Sequence, residues 1–108
     1  MVGYGGALAT TRVSVATDGT QGNDLSWVSS ISGDGRYVAF YSYASNLVSG
    51  DTNNSWDIFV RDLLTNTTRI VSLATDGTQG NYGSYSPSIS ADGRYVAFTS
   101  DASNLVSG

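Results

Sequence analysis

Four oxygen-bearing side chains alternate along one loop of this sequence: Asp51, Asn53, Ser55 and Asp57, in the segment DTNNSWD. Carboxylate, amide and hydroxyl oxygens at this spacing are the means by which calcium-binding loops wrap a hard cation. The segment lacks the later Glu and the central Gly of an EF-hand, and the same residue types build ordinary turns. The pattern therefore predicts either a calcium site or a turn in which Asp57 organises the start of a strand.

Aromatic side chains form a second group of candidates. Tyr and Trp rings stack on sugars or pack against partner proteins. Several of them differ between two otherwise copied segments of the chain, and variation on a copied scaffold is typical of a binding surface. The candidates for ligand binding are Trp27, Tyr43, Tyr82 and Tyr85, with Tyr41 nearby in the sequence. The alternative is that these rings, Trp27 and Tyr85 above all, pack inside the fold.

The amino-acid composition limits the kinds of catalysis that the chain could perform. The chain has no Cys, His, Lys or Glu, and its nine acids are all Asp and its five bases all Arg, which gives a formal charge of −4. Imidazole, thiolate and amine chemistry are therefore excluded, and hydrolysis would have to rest on Asp, Ser and Tyr. No Asp pair is singled out for that role, and the sequence predicts a protein that is not an enzyme and has no catalytic residue.

Charge and hydropathy also limit the partners. The chain is acidic and its arginines are dispersed, so it lacks the basic footprint of a nucleic-acid or anionic-membrane binder. No apolar run approaches the ~20 residues that span a bilayer. The opening segment MVGYGGALAT has neither the basic start nor the apolar core of a secretion signal. The sequence itself leaves the compartment open.

The chain is built from a repeat. Residues 16–50 reappear as residues 74–108, shifted by 58 positions, with 27 of 35 residues identical. Repeat units bury their apolar faces by stacking on one another, and about three or more are needed. Two units imply a piece of a longer array or a protomer completed by its own copies.

Strand signals fill each unit. Apolar runs at residues 30–32 and 36–40 flank Gly33-Asp34-Gly35, and Asp-Gly between such runs is a strong hairpin signal. The copy at residues 88–98 repeats it. Further strands are predicted at residues 57–62 and 67–73, and the segments 16–26 and 74–84 read as linkers. Four strands in each period predict an all-β blade, with strands a, b, c and d in order.

The blades are distributed unevenly along the chain. Residues 1–15 are predicted to be a partial blade (strands c and d), residues 16–73 a linker and a complete blade, and residues 74–108 a linker and a partial blade (strands a and b). The chain thus begins where it ends, and the two halves can complete each other. Aligning the two Thr-Arg pairs places Met1 opposite Ile58. The glycines of residues 1–8 are poor strand formers, so the alternative is that this segment does not pair.

Two segments carry a family resemblance. SPSISADGRYVAFTS at residues 86–100 and DIFVRD at residues 57–62 resemble the TolB-like β-propeller repeats, which typically read Ser-Pro-x-x-Ser-x-Asp-Gly-Arg/Lys-x-x-Ala-Phe-x-Ser and Asp-Ile-Tyr/Phe-Val-x-Asp. The first blade departs where Val28-Ser29 replaces Ser86-Pro87. The resemblance implies a β-propeller of four-stranded antiparallel blades, and its members suggest the bacterial periplasm or an extracellular location.

These observations predict a non-enzymatic, self-assembling propeller that serves as a structural or protein-interaction scaffold. Each chain would contribute two blades, and a trimer or tetramer would close a ring of six or eight, within the usual range of about four to eight. The first alternative is a lectin-like oligomer that binds glycans, and the second is a fragment of a larger enzyme-associated propeller. The predicted partner is the chain itself, with protein or glycan as further ligands, and calcium is the only cofactor considered.

Overall fold

The computed structural model describes residues 2–5, 10–51 and 53–106, and the regular elements in these ranges are β-strands. They form antiparallel sheets, one of four strands and two of two strands. The strands are β1 (Gly3–Gly5), β2 (Thr10–Arg12), β3 (Ser26–Ile31), β4 (Tyr37–Ser42), β5 (Asp57–Asp62), β6 (Thr67–Ile70), β7 (Ser84–Ile89) and β8 (Val96–Ser100). The predicted all-β class is confirmed, and closure into a propeller stays a prediction. No membrane-spanning helix is found within the described ranges.

Strands β3 to β6 make the four-stranded sheet in chain order. The β3–β4 hairpin forms because Asp34 Oδ1 accepts hydrogen bonds from Ser32 Oγ at 2.6 Å and from Arg36 N at 3.0 Å. Gly35 supplies the positive φ of 74° that the turn requires. The β7–β8 hairpin repeats these bonds and this φ with the copied residues. Identical local sequence therefore builds an identical turn twice.

The fourth strand of each repeat is shorter than predicted. β6 ends at Ile70 rather than at residue 73, and β2 likewise ends three residues before its predicted end at residue 15. A serine hydroxyl takes over the pairing, because buried Ser72 Oγ accepts a hydrogen bond from Ile58 N at 3.1 Å. Ser14 Oγ accepts the equivalent bond from Val2 N, also at 3.1 Å. One backbone bond remains at each place, from Val71 N to the oxygen of Ile58 and from Val13 N to the oxygen of Val2, both at 2.7 Å, so the serine replaces only the reciprocal bond.

The glycine-rich start does pair, so the alternative of an unpaired segment is wrong for its described part. Gly3–Gly5 forms strand β1 against β2. Since Val2 N and Ile58 N bind equivalent serines, Val2 and not Met1 takes the place of Ile58. The predicted alignment is therefore wrong by one position. Residues 1 and 6–8 of that predicted strand lie outside the described residues.

Apolar side chains form a cluster on each face of the four-stranded sheet. Because side chains alternate along a strand, Phe40 and Ala39 point to opposite faces. On one face Val2 and Val13, which flank the strands β1 and β2, belong to a cluster with Val38, Phe40, Ala44, Leu47 and Phe59. On the other face the β7–β8 sheet contributes to a cluster of Ala39, Val60 and Ile89, with Tyr37, Val71 and Val96 packed against it. The complete sheet therefore lies between two partial sheets.

An ion pair joins β4 to β5 at one end of the central sheet. Arg36 Nε and Nη2 donate to the two carboxylate oxygens of Asp62 at 3.0 and 2.9 Å. The guanidinium holds the pKa of Asp62 well below its ordinary value. In the second repeat Arg94 lies over the Tyr95 ring, 5.6 Å from the ring centroid. Arg36 likewise lies over the Tyr37 ring, 4.8 Å from its centroid, so within the described ranges the two copied arginines differ only in the ion pair that Arg36 makes.

We expect Phe40→Ala to lower the free energy of unfolding by about 3–5 kcal/mol, since it removes a fully buried ring stacked on Phe59 at 5.6 Å. Urea denaturation followed by circular dichroism measures the change. The control is Leu64→Ala, which truncates an exposed side chain and should change stability by less than about 0.5 kcal/mol. Equal effects for the two variants would contradict this description of the core.

Candidate functional site

The loop between β4 and β5 carries the predicted metal ligands, and Asp57 is its anchor. Asp57 is the first residue of β5 and its side chain is fully buried. Its Oδ1 accepts hydrogen bonds from Asn53 Nδ2 and from Ser72 Oγ, both at 3.0 Å. Strand pairing with β4 and these two bonds fix the carboxylate in one orientation.

Three oxygens of this loop are buried without a hydrogen-bond partner among the described residues: Asp51 Oδ2, Asn53 Oδ1 and Asp57 Oδ2. The Asp51 side chain is itself deeply buried, with its residue 8% exposed. Buried polar atoms almost always have a partner, because leaving one unpaired costs about 1–3 kcal/mol. The structure thus brings together three of the four predicted ligands and leaves one acceptor oxygen open on each.

The two carboxylates of the loop influence each other. Burial, and then the negative charge of Asp57, raise the pKa of Asp51 to about 7. Burial also raises the pKa of Asp57, against the hydrogen bonds from Asn53 and Ser72, which lower it. No ion pair with an arginine is found at either carboxylate in the described part of the chain. Two acids therefore share a buried place without a compensating charge.

Ser55 has a different role from the other predicted ligands. Its hydroxyl donates to the backbone oxygen of Asn53 at 3.3 Å, and the intervening Asn54 adopts a left-handed φ of 51°. Ser55 thus supports the turn of the loop. Within the described ranges there is no group of three or more acidic, His or Cys side chains suited to a metal ion. A ligand set here would combine two carboxylates with neutral oxygens.

The loop is also attached to the next repeat. Asn53 Nδ2 donates to the backbone oxygen of Gly80 at 3.1 Å, and Ser84 N donates to the backbone oxygen of Trp56 at 2.8 Å. The side-chain amide of Gln79 donates to the backbone oxygen of Gly50. The segment therefore connects the central sheet to the linker that leads into β7.

Part of the predicted aromatic group forms a cluster. Trp56 contacts Tyr41 at 5.5 Å and Tyr43 at 5.7 Å between ring centroids, and Tyr41 contacts Tyr85 at 6.2 Å. Sequence reasoning missed Trp56, because it lies outside the copied segments and could not be found by comparing the two copies. The signal that could have found it is its position directly before Asp57.

The remaining predicted aromatics stand apart from that cluster. Trp27 and Tyr82 are both more than half exposed, and no ring contact is found for either among the described residues. Two copied surface grooves also lie elsewhere, one beside residues 16–18 and 45–50 and the other beside residues 74–76 and 103–106. None of Trp27, Tyr43, Tyr82 and Tyr85 lines these grooves. The predicted aromatic ligands are thus not gathered into one pocket.

Copied residues differ sharply in burial between the two repeats. Ile89 packs against the central sheet and is 8% exposed, whereas its copy Ile31 is 48% exposed. Tyr37 packs into the same cluster as Ile89, whereas its copy Tyr95 is 67% exposed. The chain therefore has a bare face on the central sheet at Ile31 and another on the β7–β8 sheet at Tyr95.

The chain matches no family model, no curated protein and no solved structure. The resemblance to TolB-like repeats stays a prediction.

We expect Ser72→Ala to destabilise the fold by about 1–3 kcal/mol, because it removes a donor to Asp57 and the acceptor of Ile58 N in a buried place. Thermal and urea unfolding measure the loss. Ser103→Ala is the matched control, since that exposed hydroxyl accepts a hydrogen bond from Asn81 in a surface contact. If both variants unfold like the unmodified protein, Ser72 does not anchor the Asp57 carboxylate.

Proposed function

We propose that this chain is a non-enzymatic module of the TolB-like propeller type that assembles with copies of itself into a closed β-propeller. Each chain would contribute the equivalent of two blades, and three or four chains would close a ring of six or eight, consistent with the usual range of about four to eight blades. The assembled ring would serve as a structural or protein-interaction scaffold. The observation that carries the proposal is the unequal burial of the copied residues Ile31 and Ile89.

The proposed contact between chains has the same form as the packing of β7 on the central sheet within one chain. Ile89 on β7 packs on the face of the central sheet where Tyr37 lies. The proposed contact repeats this arrangement, with Ile31 of one chain packed on the face where Tyr95 of another chain lies. Both residues are apolar or amphipathic and well exposed in the single chain. Covering such side chains contributes about 25 cal/mol for each Å² of apolar surface removed from water.

Strand pairing supports the same arrangement. β4 pairs with β5 in the complete sheet, β8 is the copy of β4, and β1 pairs with β2 as β5 pairs with β6. In the described ranges β8 pairs only with β7, and β1 only with β2. If β8 of one chain pairs with β1 of the next, a four-stranded sheet is restored. Open edges favour such association because their N–H and C=O groups lack partners.

Repetition of one contact around a ring leaves no bare face. The surface at Ile31 and the surface at Tyr95 are different, so the contact is of the head-to-tail kind, which produces either a ring or an open filament. A closed ring is the arrangement by which propellers protect their strand edges, so we propose the ring rather than the filament. We therefore expect one defined assembly rather than a ladder of sizes.

Multi-angle light scattering tests the assembly, and we expect a mass of about three or four times the 11.3 kDa of one chain. Ile31→Asp should reduce the mass to a single chain, because it places a charge in the contact without disturbing a buried residue. Leu64→Asp is the control, since it places the same charge on a side chain that is exposed in the β5–β6 turn and that the proposed contact does not use, and it should leave the mass unchanged. A compact wild-type monomer would favour the fragment alternative and overturn this proposal.

Glycan binding is the second candidate function, favoured by the exposure of aromatic rings. Tyr43 is 40% exposed while its ring rests edge-on against Trp56, and Trp27 and Tyr82 are more exposed still. Rings that are held in place and open to water suit stacking against sugar faces.

For this second candidate we expect saturable binding on a glycan array, competed by the free sugar. Tyr43→Ala should weaken it by about tenfold or more, equivalent to about 1.4 kcal/mol, because the stacking platform is lost. Leu64→Ala should bind like the unmodified protein. Absence of saturable binding would leave the scaffold role without a sugar ligand.

A further inference from the structure

We propose that Asp51, Asn53 and Asp57 bind a divalent cation, with Ca²⁺ as the preferred ion, and that this ion fixes the β4–β5 loop against the following repeat. The proposal is independent of self-assembly, since all three residues belong to one chain.

Three side-chain oxygens without a hydrogen-bond partner are the main evidence for a cation site. Each of the three side chains has one oxygen that is buried and lacks a hydrogen-bond partner in the described ranges. Asp57 is fully buried and Asp51 more than nine-tenths buried, so solvent does not satisfy these atoms freely. The other side-chain groups at Asp57 and Asn53 are engaged: Asn53 Nδ2 donates to Asp57 Oδ1 and to the backbone oxygen of Gly80. These bonds leave the free oxygens of Asn53 and Asp57 as acceptors only.

Charge points to a cation rather than to a water molecule alone. Asp51 and Asp57 are both buried in this loop, and the negative charge of Asp57 adds to burial in raising the cost of ionising Asp51. Arg36 and Asp62 pair with each other at the opposite end of the central sheet, so this arginine is already engaged. A bound divalent ion would neutralise both carboxylates and satisfy all three orphaned oxygens at once.

The donor chemistry favours Ca²⁺ over other ions. The available ligands are oxygens, which suit hard cations, and the absence of His and Cys from the sequence disfavours zinc and copper. Ca²⁺ accepts irregular sets of about six to eight oxygens, so backbone carbonyls or water can complete the set around three side chains. Mg²⁺ requires a near-ideal octahedron and gives up its water reluctantly, so it should bind more weakly here.

The site lies between the central sheet and the next repeat, and this position indicates what a bound ion would do. Asn53 contacts Gly80, and Trp56, directly before Asp57, accepts a bond from Ser84. An ion held by Asp51, Asn53 and Asp57 would therefore restrain the loop, the start of β5 and the linker into β7 together. Ca²⁺ should stabilise the folded chain and protect this loop from proteases.

The test is a calcium titration of the intact protein by isothermal calorimetry, with thermal unfolding in parallel at constant ionic strength. We expect one site for each chain, with a dissociation constant no weaker than the ~1 mM found in extracellular calcium modules, and a rise in unfolding temperature as calcium is added. Asp51→Asn, which keeps shape and removes one charge, should weaken binding by at least about tenfold. Asp76→Asn, in an exposed turn, is the control and should bind like the wild type.

The response to calcium distinguishes the two roles of the loop. If the acids form a cation site, calcium should raise the unfolding temperature of the wild type by more than that of Asp51→Asn, because the variant has lost one charged ligand. If they only organise a turn, calcium should leave the unfolding temperature of both proteins unchanged. No binding heat and no thermal shift at ~10 mM CaCl₂ would overturn the proposal. An equal response to MgCl₂ would overturn the preference for Ca²⁺.

Terbium luminescence provides a second readout that does not depend on stability. Because Trp56 directly precedes Asp57, excitation of this ring should sensitise Tb³⁺ bound at the site. The emission should fall on addition of Ca²⁺ and be lost in Trp56→Phe. Sensitised emission that persists in Trp56→Phe and vanishes in Trp27→Phe would place the ion elsewhere and contradict the assignment.

Discussion

A β-sheet with two apolar faces must be covered on both sides, and this constraint governs the whole molecule. The central sheet meets it in part, because Val2 and Val13 cover part of one face and β7–β8 covers part of the other, while Ile31 stays exposed. The partial sheets do not meet it within one chain, since Tyr95 and the outer edge of β8 have no cover in the described ranges. The same requirement accounts for the packing within the chain and motivates the self-association that we propose.

Comparing the two copies of the repeat within one chain shows the effect of this requirement. Ile31 and Ile89 have the same side chain, nearly the same local sequence and equivalent strand positions, so only the neighbouring sheet distinguishes them. The Asp-Gly hairpins, by contrast, are alike in both copies because their hydrogen bonds are local. Local geometry is thus repeated, whereas burial depends on what stacks against each unit.

The β4–β5 loop contains buried charged side chains and also contacts the next repeat. Asp57 opens a central strand and is held by Ser72, while Asn53 reaches the linker of the next repeat through Gly80. A loop that only turned the chain would not need two buried acids beside each other, because ionised carboxylates are costly to bury without a counter-charge. The loop is therefore the part of the chain where an ion would contribute most to cohesion between repeats.

The sequence by itself determined the all-β class, the antiparallel hairpins and the bounds of β5, because turn residues and side-chain alternation act over a few positions. It also predicted a candidate cation site from the spacing of Asp51, Asn53, Ser55 and Asp57, and that site stays a prediction. Only the tertiary structure decided that β6 stops at Ile70, that Val2 replaces Met1 in the alignment, and which oxygens lack partners. These features depend on contacts between residues far apart in the chain, such as Ser72 with Ile58, and no local pattern encodes them.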